Sequence, residues 1–173
     1  MLAACVRSAL RGPDDSLDIL VFRSGDPFDS RLAATLSAHN IWVLSEGIEQ
    51  SWPSPPANVV LLDEPVIEHD YDLVIAPFSA PAIPLARRVS AGLHAPLIAL
   101  FHAPPPARTS PGRLARERAL TGHVSMCPSK EIAASWGFGP HEATVIPNWQ
   151  AGKLRYMVEL IAAQPYELKW SMT

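Results

Sequence analysis

Short apolar runs recur along this chain, at Leu17–Phe22, Ile41–Leu44, Val59–Leu62, Asp72–Ala76, Pro96–Phe101, Val124–Cys127 and Thr144–Ile146. Each is too short for a helix of ordinary length, and most are rich in Val, Ile and Leu, as strands are. Between them lie segments with helical spacing. Ser30–Ala38 reads as a short helix with Asp29 placed to cap it, and Ser79–Ala91 puts Ile83, Leu85, Ala86 and Val89 on one face, with Gly92 placed to stop it. Gly112–Leu120 reads as a short basic helix. A further helix opens at Ser129, runs to about Trp136 with Glu131 in its first turn, and ends at Gly137 and Gly139. Lys153–Ala163 carries Leu154, Met157, Val158 and Ile161 on one side. Strands that alternate with helices predict an α/β fold: a Rossmann-like, mostly parallel sheet with helices on both faces, because parallel strands need crossover connections. In such sheets ligands collect at the carboxyl ends of strands, so the loops after Phe22, Ala76, Phe101 and Cys127 frame any site.

Length and composition fit one such domain. The 173 residues are 48% hydrophobic, enough for a core, and the 18 prolines cluster between the apolar runs. Residues 1–16 end in the turn-forming Arg11-Gly12-Pro13-Asp14-Asp15 and read as a leader of uncertain order; the domain covers 17–149, and 150–173 form a C-terminal helix and aromatic tail. The longest nearly apolar run, Ala95–Phe101, is far short of the roughly 20 residues of a membrane span. Arg7 interrupts the apolar start and no cleavage site follows, so a cytoplasmic protein without a membrane span is expected. Cys5 and Cys127 are in no metal-ligand spacing and suggest no disulfide framework. The net charge of -3 argues against a nucleic-acid partner, although Arg108, Arg113, Arg116 and Arg118 stand against one glutamate between positions 108 and 118.

From Asp72 to Asn148 the order of features resembles the second half of the N-terminal, acceptor-side domain of GT-B glycosyltransferases, the glycosyltransferase family 4-like group. Tyr71-Asp72-Leu73-Val74-Ile75 is similar to its "D-hydrophobic-hydrophobic" strand, and Ala95-Pro96-Leu97-Ile98-Ala99-Leu100-Phe101-His102 to its "P-apolar run-H" strand. His123-Val124-Ser125-Met126-Cys127-Pro128-Ser129 looks like the strand and serine before the last crossover, and Ala143-Thr144-Val145-Ile146-Pro147-Asn148 like the "V-I-P-N-G" segment. Leu17–Asn58 is much less similar. The resemblance implies a transferase acting on a nucleotide-sugar, with His102 as the catalytic histidine facing the sugar or acceptor. It further implies that Gly25 and Asp26 line the cleft from the first loop and that Asn148 sits at its edge; a loop-anchoring role is the plain reading of His102.

The departures bear on function. The first loop, Ser24-Gly25-Asp26-Pro27, has one glycine and an acidic neighbour where the family commonly has a glycine pair, a poor cradle for phosphate. Trp149 replaces the glycine after Pro-Asn, and the 24 residues that follow it are too few for a second Rossmann-like domain of about 150 residues. The resemblance therefore implies the acceptor side alone: a subunit of a split glycosyltransferase, partnered by a chain with the donor domain, or a non-catalytic remnant, inactive by itself. No metal or other cofactor is implied.

Other residues have plain readings beside functional ones. Arg108 and its neighbours suit a phosphate or simply solvent. Ser129 is a candidate ligand contact and a helix cap. Ser125 and His123 lack the glycines of a nucleophile elbow. Trp136 and Phe138 suit packing. Trp149, Tyr156, Tyr166 and Trp170 could cover a surface or mediate homo-oligomerisation. The rival functions are an interaction module on a Rossmann-like scaffold and a small flavodoxin-like nucleotide-binding enzyme, the latter opposed by the lack of a Gly-rich loop.

Overall fold

The expected strands assemble into one sheet in the computed structural model, which describes residues 15–24, 28–45, 52, 54–64, 69–78, 82–119 and 124–164. They are β1 (Asp18–Phe22), β2 (Asn40–Leu44), β3 (Val59–Leu62), β4 (Leu73–Pro77), β5 (Leu97–Leu100), β6 (Val124–Cys127) and β7 (Thr144–Val145). Their order is β3-β2-β1-β4-β5-β6-β7, and every neighbouring pair is parallel. Burial explains the strand sequences. All of β5 and the first four residues of β4 are buried, so these strands are apolar throughout. The edge strand β3 leaves Val60 and Leu61 more than 40% exposed.

Alternation along each strand sorts the side chains into two cores. Ile19, Val21, Leu73, Ile75, Ile98 and Leu100 point to one face, where they meet Leu32 and Leu36 from α1 (Phe28–Thr35) and its following turn, and Leu154, Val158 and Ile161 of α5 (Ala151–Ala163). Leu20, Phe22, Val74, Ala76, Ala99 and Phe101 point to the other. There they meet Ile83, Ala86 and Val89 of α2 (Ala82–Leu93) and Ala133 of α4 (Lys130–Ser135), while α3 (Pro111–Ala119) packs on the same core through Leu114. His39 braces the first face. The Leu17 N–H donates to its Nδ1 at 3.2 Å, so Nε2 carries the proton offered to Glu159 on α5 at 3.1 Å.

Three helix ends depart from expectation. Asp29 is not a cap but the second residue of α1, because its carboxylate is turned back to the preceding loop. Gly92 lies inside α2, which ends one residue later. His94 takes the positive φ of 52° expected of a glycine, and the Ala95 and His94 N–H groups bond to Ser90 and Ala91 carbonyls in a Schellman-type stop. The last helix starts at Ala151 rather than Lys153, directly after a 3-10 turn over Pro147–Trp149. Among the described residues no helix is long and apolar enough to cross a membrane.

From β1 the chain winds outward through β2 to β3, then returns to lay β4 on the other side of β1. This reversal puts α1 and α2 on opposite faces and opens a crevice at the carboxyl ends of β1 and β4, where open α/β sheets collect ligands.

Candidate functional site

The start of the loop after β1 borders that crevice, and a carboxylate of the chain itself sits against it. Asp29, in the first turn of α1, accepts a hydrogen bond from the Ser24 N–H at 3.1 Å, and its other oxygen lies 3.6 Å from Arg23 Nε. Both side chains of the pair are 2% exposed. A helix N-terminus attracts negative charge, and here the chain supplies its own carboxylate. Gly25 and Asp26 lie outside the described residues.

His102 follows β5 at the same edge of the sheet. Alternation sends Phe101 into the α2–α4 core, and the His102 ring instead meets two rings of the α1–α5 side. Its centroid is 4.4 Å from that of Phe28, edge to face, and 5.2 Å from that of Trp149; Phe28 and Trp149 are 5.3 Å apart. Nε2 is buried without a hydrogen-bond partner. Burial favours the neutral ring and pushes its pKa down to about 4.

Trp149 reaches this position through an unusual backbone. Asn148 and Trp149 both have positive φ, 47° and 52°, a region that costs a bulky residue free energy. The turn is held by the Asn148 N–H donating to the Pro128 carbonyl at 3.0 Å and by the Trp149 N–H donating to that of Ile146 at 2.9 Å. Arg31 Nη1 approaches the Asn148 carbonyl at 3.4 Å. Asn148 thus stands beside the histidine cluster and serves it through its main chain. The tryptophan sits where the resembling motif has glycine, in a conformation that glycine adopts freely.

A cavity of about 510 Å³ opens beyond β4 and β5 on the α2–α4 side, and His102 is among the residues that border it. Phe78, Phe101 and Trp136 line it. Phe78 stacks on Phe101 at 4.5 Å, and Trp136 meets both edge to face at 5.0 Å. The Trp136 indole N–H donates to the Ala103 carbonyl at 2.8 Å, which ties the loop after β5 to the end of α4. Ile83 and Pro84 of α2 form one wall, and Pro104 and Pro106 contribute the loop side. The charged lining residues are Arg113 and Glu117, one turn apart on α3 and joined at 2.6 Å.

Of the other residues singled out by the sequence, Arg108 and Ser129 lie apart from these two places. Arg108 is exposed in the turn after Pro106 and does not line the cavity. Ser129 caps α4, its Oγ accepting the Ile132 N–H at 3.2 Å. Trp136 and Phe138 are packed against Phe101, in line with their expected packing role. Tyr156 is 63% exposed on α5, whereas Trp149 is buried; Tyr166 and Trp170 lie outside the described residues. Among the described residues no group of three or more His, Cys, Asp or Glu could hold a metal ion. Sequence reasoning missed Phe28, Phe78, Arg23 and the buried role of Asp29; an aromatic residue just past a strand run, as at Phe78, was the available signal. No protein-family model matches the chain, and no curated protein matches it.

Proposed function

We propose that this chain is a glycosyltransferase-like acceptor-side domain that works without sugar transfer, the non-catalytic form of the GT-B N-terminal domain. The packing of His102, whose Nε2 is buried without a hydrogen-bond partner, carries this reading. A strand-end histidine serves sugar chemistry when a ring nitrogen can reach a hydroxyl, within about 2.6–3.2 Å. Here Phe28 and Trp149 flank the ring, and Nε2 is buried with no partner. Two further features support it. Asp29 already accepts the Ser24 N–H at the start of the first loop, so a phosphate brought there would meet a carboxylate. Trp149 stands at the position of the motif's glycine and packs against the histidine.

The test is a calorimetric and thermal-shift titration with uridine, guanosine and adenosine diphosphate-sugars and the free nucleotides, using the wild type, His102→Ala and Trp149→Gly. The wild type is expected to show no saturable binding at millimolar ligand. Trp149→Gly is expected to uncover the imidazole, seen by NMR as a rise of its pKa towards 6.5. Saturable wild-type binding that disappears in His102→Ala would overturn the reading in favour of a working sugar site, alone or as half of a split enzyme.

A further inference from the structure

We propose that the cavity beyond β4 and β5 is a binding site for a flat apolar anion: an aromatic body seated on Phe78, Phe101 and Trp136, with its acidic group at Arg113. His102, at the end of β5, also borders this cavity, but the aromatic floor and the charged rim are other residues, and they carry the proposal without the glycosyltransferase reading.

The volume of about 510 Å³ falls in the usual range of small-molecule pockets, about 300–1,000 Å³. The chemistry of the lining selects within that range. Three mutually packed rings present apolar surface and aromatic edges, which favour an arene by offset or edge-to-face contact. The one polar hydrogen these rings carry, the indole N–H of Trp136, already serves the Ala103 carbonyl. Ile83, Pro84, Pro104 and Pro106 add no side-chain donor or acceptor. Besides the rim and that indole, the imidazole of His102 is the one polar side chain of the lining, so a sugar buried here would leave most of its hydroxyls without partners, whereas an unsubstituted arene would not.

The rim sets the charge. Arg113 is 60% exposed and bonds Glu117 through Nε. A guanidinium has five N–H donors in a fork that suits carboxylate or phosphate, so the contact with Glu117 orients the group while leaving donors for a ligand. Arg108 and Arg116 are exposed on the same segment and add to a local excess of positive charge in a chain whose net charge is -3. An aromatic acid therefore matches both floor and rim.

The experiment is isothermal titration of the full chain with 1-naphthyl phosphate, 1-naphthol, inorganic phosphate and adenosine monophosphate, with the Trp136 indole resonance followed by NMR. 1-Naphthyl phosphate is expected to bind saturably, to shift that resonance and to bind roughly tenfold more tightly than 1-naphthol, the scale of one charge-assisted contact. Arg113→Gln, an exposed change, is expected to erase that advantage and keep naphthol binding. Pro84→Trp, also at an exposed position, is expected to weaken both naphthyl ligands by filling the wall. Absence of naphthyl phosphate binding to the wild type at millimolar ligand would overturn the proposal. So would equal affinity for naphthol, or equal affinity for inorganic phosphate or adenosine monophosphate.

Discussion

The half-buried imidazole of His102 makes the fold acid-sensitive in a way that can be worked out from its surroundings. Its pKa falls from 6.5 to about 4 because burial against Phe28 and Trp149 strips water from the ring and disfavours its charged form. The full drop corresponds to about 3 kcal/mol between the neutral and charged forms. In the unfolded chain the ring titrates near its ordinary value. Below that value the unfolded state binds a proton that the native state refuses, so stability falls with pH. The loss starts near pH 6.5, reaches about 2 kcal/mol at pH 5 and levels off below about pH 4. His102→Phe keeps a ring in the cluster and removes the titration. Urea unfolding of both proteins at pH 7, 6 and 5 isolates the effect, since groups common to both cancel in the difference. The wild type is expected to lose about 2 kcal/mol relative to His102→Phe between pH 7 and pH 5. A difference that stays flat over that range would refute the reasoning and place the ring in contact with water or a hidden partner.

Two further outcomes follow from buried groups. Asp29→Ala leaves the Arg23 guanidinium with a lost counter-charge at 2% exposure, and a destabilisation of about 3 kcal/mol is expected by chemical denaturation; a loss under about 1 kcal/mol would show that the pair is dispensable. Cys127 is buried in β6 with its thiol pKa pushed up to about 11 by that burial. At pH 8 the native protein is therefore expected to alkylate at this residue only as fast as it unfolds, measured by mass spectrometry with and without urea.

The strands were legible because a parallel strand covered on both sides must be apolar at nearly every position, and Leu97–Leu100 and Leu73–Ala76 are. The βα rhythm likewise implied the parallel sheet. Helix ends were less legible. Gly92 looked like a stop, yet the chain used His94, since a Schellman turn depends on which carbonyls need partners and not on glycine alone. The histidine at the end of β5 was legible as a strand-end residue. Its enclosure was not, because Phe28, His102 and Trp149 come from three distant stretches that only the finished fold brings together. The aromatic cavity was hidden for the same reason: Trp136 read as a packing residue, Phe78 carried no reading, and nothing in their local sequence says that their packed rings border an open space.

The return of the chain to β4 also sets an order of assembly. Pairing β1 with β4 joins Ile19 to Leu73 and is reinforced by the Asp18 N–H donating to the Asp72 carboxylate, a contact that spans 54 residues. Pairing β5 with β6 joins Ile98 to Val124 across a much shorter stretch. Longer loops lose more chain entropy on closing, so the β4–β7 half is expected to gain protection first and the β1–β4 seam last, an order that pulse-labelled amide exchange would read. The central seam is then the step at which folding commits.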